Sequence, residues 1–370
     1  MSSTSHPSRL YGLDTLRALA IVLVFMNHYL LFVSEGGAFG FWGEIGWTGV
    51  DLFFALSGYL IGNQIFAALR SEQGFSLPRF YARRFLRTLP SFYAVLALYY
   101  LWPAFRGDSA RLPLWKFLTF TQNINLTPGT AFSHAWSLCV EEQFYVLLPA
   151  VALAIAACRK SLLWAWVAVA ASFVVGMLLR AYLWDEYVHV PRGGLGYYKY
   201  IYYASWCRFD ELVAGVALAL LKNYHPGAWL RLTSYGNRTL LAGIFGTALM
   251  FYVFLADHYG YWVTVFGYPA LAASFTLLLI AALSPASALY QLRVPGAASL
   301  ALWSYAIYLL HKQLCILLRP LLQDFGYGPD GLTAILVSIA VSIVTGWLLY
   351  RLVETPFMRL RARYFPANHA

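Results

Sequence analysis

The amino-acid sequence predicts an all-α, polytopic integral membrane protein, with a single membrane-embedded domain over residues 1–370. Mean hydropathy is +0.60, hydrophobic residues make up 60% of the chain, and only 11% of residues are charged. A soluble globular domain carries roughly 25% charged residues. A chain of 370 residues cannot hide so much apolar surface from water, so its expected solvent is lipid.

About ten apolar stretches predict transmembrane helices, since each is close to the roughly 20 residues that cross the hydrocarbon core. The first stretch has no small-residue cleavage site after it, which predicts a retained helix rather than a signal peptide. The ten predicted spans are residues 14–33, 48–68, 89–104, 135–158, 162–180, 204–221, 239–256, 261–283, 298–318 and 332–350.

The distribution of basic residues predicts the orientation of these spans. With the N-terminus inside, seventeen of the 26 lysines and arginines lie on the cytoplasmic side and nine on the other. Both termini are therefore expected in the cytoplasm, with residues 355–370 as a short tail. The net charge of +10 comes from short clusters between apolar stretches, which indicates topology and contact with membrane lipids rather than nucleic-acid binding.

The four cysteines show neither paired nor metal-like spacing: Cys139, Cys158, Cys207 and Cys315. All lie in or beside predicted spans, where small apolar packing is the expected role. We expect no disulfide framework and no metal. The expected location is a bacterial inner membrane, and the sequence leaves the oligomeric state open.

The first span, "LDTLRALAIVLVFMNHYLLF" at 13–32, contains Arg17 and His28. Eleven positions on a helix are about 16 Å, or three turns, so both side chains lie on nearly one face. An ionisable residue inside a span costs roughly 2.5–3.5 kcal/mol and is by default a functional hypothesis. The structural alternatives are an ion pair of Arg17 with Asp14 and an interhelical hydrogen bond of His28.

The segment "RFYARRFLRTLP" at 79–90 places four arginines directly before the third span. Arg84 and Arg87 are three residues apart and face the same way. Guanidinium groups bind phosphate oxygens in a bidentate manner, which predicts a phosphate site at the inner face. The alternative is an orientation anchor paired with anionic lipid.

The segment "SHAWSLCVEEQFYVLLP" at 133–149 brings adjacent acids into an apolar helix. Glu141 shares a helix face with His134 and Ser137, while Glu142 is its neighbour. A carboxylate in this setting orients an imidazole or holds a hydroxyl-bearing substrate. The alternative is that one acid caps the positive end of the helix.

Further ionisable residues open or interrupt other spans. Asp51 stands near the start of the second span, where a helix cap is the alternative, and His311 lies within the ninth. Asp210 follows Arg208, which is expected to pair with Glu211. At 1.5 Å per residue, groups on five helices fall about 5–10 Å below the outer surface, which predicts a shared cavity: His28, Asp51, Glu141, Asp210 and His311.

Taken together, these motifs resemble the membrane-bound acyltransferase family 3, bacterial O-acyltransferases that modify polysaccharides, lipid-linked sugars and some secondary metabolites. The resemblance covers nearly the whole chain. It rests on seven segments in order: "GLDTLRALAIVLVFMNHY", "GVDLFFALSGYLIG", "RRFLRTLP", "HAWSLCVEEQFYVLLP", "RFDELVAGVALAL", "SYAIYLLHKQL" and "VETP".

The resemblance implies an acyl-CoA donor, usually acetyl-CoA, approached from the cytoplasm, and an acceptor hydroxyl on the far side. It also implies that His28, Arg17, Arg84 and Arg87 are essential. Many members carry a periplasmic esterase-like domain after the last span, and we expect none here. Thr355 stands where members often have a basic residue.

The expected reaction is transfer of an acyl group, most often acetyl, to a hydroxyl of a carbohydrate or glycolipid, with cell-surface polysaccharide as the leading acceptor. In this hypothesis neutral His28 removes the hydroxyl proton, and Glu141 or Glu142 orients the imidazole. Arg84 and Arg87 bind the phosphates of CoA, with Arg17 beside them. Supporting roles are expected for Asp51, His134, Ser137, Asp210 and His311.

Several alternatives stay open. The acyl group could pass through an acyl-histidine or an acyl-serine, with Ser137 as one conceivable carrier. The tyrosine-rich segment 185–206 either selects the acceptor or forms an interfacial aromatic belt. A polysaccharide or lipid-linked sugar transporter or flippase would also use buried ionisable groups, but no inverted repeat is evident. A glycosyltransferase would leave His28 and the arginines without a role.

Overall fold

A computed structural model describes residues 9–72, 74–157, 161–189 and 193–366. The described residues form helices and connecting loops, without β-strands. The α-helices are α1 (Tyr11–Phe32), α2 (Gly40–Ile45), α3 (Thr48–Arg70), α4 (Leu77–Leu101), α5 (Pro103–Arg106), α6 (Leu114–Leu118), α7 (Trp136–Ala157), α8 (Leu162–Tyr187), α9 (Gly193–Tyr197), α10 (Asp210–Tyr224), α11 (Pro226–Ser234), α12 (Asn237–Ala256), α13 (Tyr268–Leu283), α14 (Ala288–Gln291), α15 (Ala297–Asp324), α16 (Leu332–Leu349) and α17 (Thr355–Tyr364).

Short helical turns of other types extend several of these elements. The 3₁₀ turn Ser133–Ala135 leads into α7, and a second lies at Ser205–Cys207. The π-helical turns are Tyr198–Tyr202, Val263–Gly267 and Tyr350–Glu354, of which the last joins α16 to α17.

Eight helical segments within the described ranges are long and apolar enough to cross a membrane. They are α1, α3, α7 with its 3₁₀ turn, α8, α12, α13 with its π turn, α15, and α16 continued through α17. The predicted third and sixth spans fall on α4, which carries the arginine cluster in its first half, and on α10, which has only 15 residues. The all-α membrane class is confirmed, whereas ten spans and the orientation remain predictions.

The centre of the bundle is built on α1, which packs against both α3 and α15, while α3 packs along α10. Two glycines let α3 and α10 touch through their backbones. A Cβ on Gly58 would lie 2.0 Å from the Leu212 carbonyl oxygen, and one on Gly215 would lie 2.3 Å from that of Ala55. Small residues at such a crossing permit the close approach on which helix association in membranes depends.

Helix α8 stands at the edge of the bundle, with Gly176 and Arg180 as its buried residues. The Arg180 guanidinium donates to Asp210 and to the carbonyl oxygens of Cys207 and Val265. This cluster of hydrogen bonds fixes α8 against α10 and the segment before α13.

The described cysteines, Cys139, Cys207 and Cys315, are buried free thiols within the helical core. Cys158 lies outside the described residues. Burial among apolar neighbours fits the packing role expected from the sequence.

Candidate active site

Three histidines from distant parts of the chain meet at one end of α1 and form what we name the histidine cluster. The rings of His28 and His311 stack with centroids 4.9 Å apart and an interplanar angle of 9°. The His134 ring approaches both edge-on, at 5.9 and 6.0 Å. The packing of α1 against α15 therefore joins two of the predicted site residues directly.

The hydrogen bonds of this cluster assign the tautomers of its neutral rings. His311 Nδ1 lies 2.9 Å from the carbonyl oxygen of Ile307, which can only accept, so that nitrogen carries the hydrogen. His311 Nε2 must then accept from His28 Nδ1, 2.8 Å away. Nε2 of His28 then has a free lone pair as far as the described residues show, and its ring lines a cavity.

That cavity, the histidine cavity, has a volume of about 300 Å³. It is lined by the histidine cluster's His28 and His134 and by aromatic side chains from the predicted acceptor segment. The tyrosines that line it are Tyr198, Tyr202 and Tyr203, together with Tyr259 from the loop after α12. The tyrosine-rich segment thus lines the same cavity as His28, and residues 190–192 of that segment lie outside the described ranges.

Lys312 is a cavity residue that the sequence analysis counted only for orientation. Its side chain is buried, its Nζ donates to Ser133 Oγ at 3.0 Å, and it lies 3.9 Å from the centroid of the Phe32 ring. Within the described ranges its ammonium forms no ion pair. A lysine in the middle of the apolar stretch "YLLHKQLCILL" was the available signal, because such a residue is costly in a span.

A second cavity, the arginine cavity, has a volume of about 310 Å³ and contains the other motif residues. Glu141 and Glu142 flank Arg84 here, with N–O distances of 3.8 and 3.6 Å, and the guanidinium stacks 3.7 Å from the centroid of Tyr145. Ser57 Oγ donates to Glu141 at 2.8 Å. Both carboxylates therefore lie against the Arg84 guanidinium. The expectation that one of them orients His28 is corrected, because His28 is hydrogen-bonded to His311 instead.

Two more predicted donor residues line the same cavity. The ion pair of Arg17 with Asp14, given above as the structural alternative, is not formed, because Asp14 pairs with Arg9 at 2.5 Å. Arg17 and Arg87 both face the arginine cavity, and within the described ranges neither guanidinium has a hydrogen-bonded or ion-paired partner. Both guanidinium groups act electrostatically on the carboxyl group of Glu354.

A thin wall separates the two cavities. Val50 lines both of them, and consecutive residues Trp136 and Ser137 face opposite sides. Tyr308 Oη donates to the His134 carbonyl oxygen at 2.6 Å and accepts from Ser137 Oγ at 2.6 Å. The Ser137 proton is thus directed at a phenol rather than at a base, which gives no support to an acyl-serine.

Asp51 and Asp210 line neither cavity, which corrects the expectation that they share a cavity with His28. Asp51 is fully buried inside α3 and pairs with Arg208, so it is not a helix cap, and the expected pair of Arg208 with Glu211 is not formed. Asp210 pairs with Arg180. The predicted depths of the ionisable residues along their helices were similar, yet these residues do not share one cavity. Depth along a helix does not specify the side of the helix from which a side chain projects.

The fold is that of a helical membrane protein with two adjoining cavities lined by ionisable side chains. The family model for an acyltransferase domain matches residues 10–351, and the chain belongs to this family. That assignment confirms the family predicted from the seven motifs.

Curated relatives include peptidoglycan O-acetyltransferase OatA of Listeria monocytogenes, 28% identical over 97% of this chain and 58% of its own length. The putative peptidoglycan O-acetyltransferase YrhL of Bacillus subtilis is 26% identical over 98% of this chain and 57% of its own length. An uncharacterized protein of Haemophilus influenzae is 31% identical over 47% of this chain. The chain thus spans a little over half the length of the two O-acetyltransferases. No solved structure matches it.

Proposed function

We propose that the protein is an O-acyltransferase that moves an acyl group, acetyl in the simplest case, from acyl-CoA to a hydroxyl of a glycan or glycolipid in the bacterial cytoplasmic membrane. The observation that carries the proposal is a histidine with a free Nε2 in a tyrosine-lined cavity that adjoins an arginine-lined one. Family membership and relatives named as peptidoglycan O-acetyltransferases support a cell-wall or cell-surface polysaccharide as the acceptor. Membership in an acyltransferase family gives no support to the transporter alternative.

In the proposed reaction, Nε2 of His28 accepts the proton of the acceptor hydroxyl while its oxygen attacks the thioester carbonyl carbon. The C–S bond breaks, the sulfur leaves as a thiolate, and His28 returns the proton to it. His311 holds the hydrogen on His28 Nδ1 throughout, so the base keeps one orientation.

Lys312 supplies the positive charge that this reaction needs. One of its three N–H donors points to Ser133, and the other two have no partner of opposite charge within the described ranges. An ammonium held at a fixed position in this cavity would stabilise the negative charge that develops on the carbonyl oxygen in the transition state. This role explains why a costly cation is buried beside a base.

Reconstitution with labelled substrate tests the proposal. The protein in lipid nanodiscs is given acetyl-CoA with a radiolabelled acetyl group and peptidoglycan-derived oligosaccharides, and acetylated glycan is counted. We expect His28→Ala to lower the transfer rate by about 10²- to 10⁴-fold while CoA affinity is retained.

The matched control is His225→Gln, because His225 lies away from both cavities and accepts a hydrogen bond from Trp166 Nε1 at 3.0 Å. It should transfer acetyl at the wild-type rate. A wild-type protein that transfers no acyl group from any acyl-CoA to any glycan, in a preparation that remains folded, contradicts the proposal.

A further inference from the structure

Two arginines line the arginine cavity, and a third lies on a helix that packs beside it. Arg17 of α1 and Arg87 of α4 line the cavity, and Arg361 lies on α17, which packs against α4 and against the π turn that carries the buried Glu354. Within the described ranges, none of the three guanidinium groups forms a hydrogen bond or an ion pair, and Arg361 Nε is a buried atom without a partner. Among these packed elements, Glu354 is the carboxyl group on which the charges of Arg17, Arg87 and Arg361 act.

Arg84 does not belong to this group, although the sequence motif couples it to Arg87. Its guanidinium is held between Glu141 and Glu142 and stacks on Tyr145. With two carboxylates already beside it, Arg84 offers little charge to a further anion. Arg84 therefore lines the arginine cavity as a residue whose charge is already paired.

The position of α17 is fixed by the arginine cluster of α4. Arg79 and Arg83 donate to the carbonyl oxygens of Pro366 and Phe365, the residues that follow α17. Arg361 consequently faces Arg83 and Arg87, both of like charge. Like charges gathered this closely repel one another, and a bound anion removes that cost.

We infer that Arg361 completes, with Arg17 and Arg87, a binding site for phosphate groups, and that it holds the phosphates of the nucleotide part of the acyl donor. The inference rests on the proposed acyl-CoA donor and adds a residue from the segment expected to be a plain cytoplasmic tail. Guanidinium groups suit this ligand because their paired N–H donors match phosphate oxygens. The acyl arm then extends past Arg17 and Arg87 into the arginine cavity, which both residues line.

Binding of CoA and of pantetheine, which has no phosphate, separates this site from the rest of the donor path. The protein is placed in nanodiscs of phosphatidylcholine alone, and binding is measured by isothermal titration calorimetry. Arg361→Gln should weaken CoA binding by about 10- to 100-fold. Pantetheine binding should not change.

Arg359→Gln and Arg363→Gln are matched controls on the same helix, since both side chains are exposed. They should bind CoA as the wild type does. Glu354→Gln removes the carboxyl group on which the three arginines act and should strengthen CoA binding. An unfolded variant cannot bind CoA more tightly. A gain of affinity in Glu354→Gln would therefore show that the changes in CoA binding do not come from unfolding.

Anionic lipid offers the same phosphate chemistry, and a second arm distinguishes it. In nanodiscs with added phosphatidylglycerol, Arg361→Gln should retain as much of this lipid as the wild type. Loss of bound phosphatidylglycerol with unchanged CoA affinity assigns the site to a lipid headgroup and overturns the inference.

The experiments distinguish a failure of the proposed phosphate site from a failure of the proposed function. If acetyl transfer depends on His28 but Arg361→Gln binds CoA as the wild type does, the phosphate site fails alone. If the wild type has no affinity for CoA, both the donor and this site are wrong.

Discussion

At the scale of single residues, one hydrogen bond determines which nitrogen of His28 is free. His311 accepts from His28 Nδ1 because its own Nδ1 donates to Ile307. His311→Gln keeps an acceptor oxygen near the former Nε2, so we expect acyl transfer within about tenfold of wild type. His311→Leu removes the acceptor, and the rate should fall by about 10²-fold or more.

The measurement pairs turnover with ¹⁵N NMR of labelled histidine, which reports the tautomer of each ring. A purely structural role for His311 predicts equal losses in both variants and an unchanged His28 tautomer, and that result would refute the assignment. CoA affinity serves as the control and should be equal in both variants.

At the scale of elements, the crossing of α3 and α10 positions the cavity wall, since α3 carries both Val50 and Ser57. Gly58→Ala would place a methyl group 2.0 Å from the Leu212 carbonyl oxygen, so the helices must separate. Overpacking of this kind costs about 1–3 kcal/mol. We expect a lower midpoint of thermal unfolding in detergent and reduced acyl transfer.

The same substitution at Gly227 in α11 is the control, because a Cβ there meets nothing within 4 Å. Gly227→Ala should leave the thermal midpoint unchanged or raise it slightly. Equal midpoints for Gly58→Ala and wild type would contradict the close crossing.

Apolar runs predicted where the helices lie, because length and composition decide whether a segment suits lipid. Among the described residues, α4 and α10 are not among the eight segments that are long and apolar enough to cross a membrane, so the predicted count of ten spans stays a prediction. The break before α10 comes from a 3₁₀ turn at Ser205–Cys207, which apolar composition does not reveal. Residues 355–366 were expected as a tail, yet α17 continues directly from a π turn.

At the scale of the whole molecule, the site was predictable in its residue types but not in its pairings. His28 and His311 are 283 positions apart, and no pattern in either segment indicates the other. Glu141 faces away from His28 because helix α7 directs it toward Arg84 of α4. The rotation of each helix about its axis is set by packing, which a single sequence does not display.

The wall between the two cavities leads to a prediction about how the acyl donor and the acceptor meet. Val50 is the side chain that lines both, and it is 5% exposed. A thioester bound in the arginine cavity must pass this wall to reach His28. Val50→Phe should therefore abolish transfer while CoA binding stays intact, and Val50→Ala should raise the rate with butyryl-CoA relative to acetyl-CoA, because a smaller side chain leaves a wider passage.

The measurement is the ratio of butyryl to acetyl transfer in the reconstituted system, with Val146→Ala as the control, since Val146 is exposed on the lipid-facing side of α7. The control should keep the wild-type ratio. An unchanged ratio in Val50→Ala, together with full activity in Val50→Phe, would mean that the acyl group does not cross at this wall. Donor and acceptor would then have to meet within one cavity, and the free nitrogen of His28 would require a donor path from its own side.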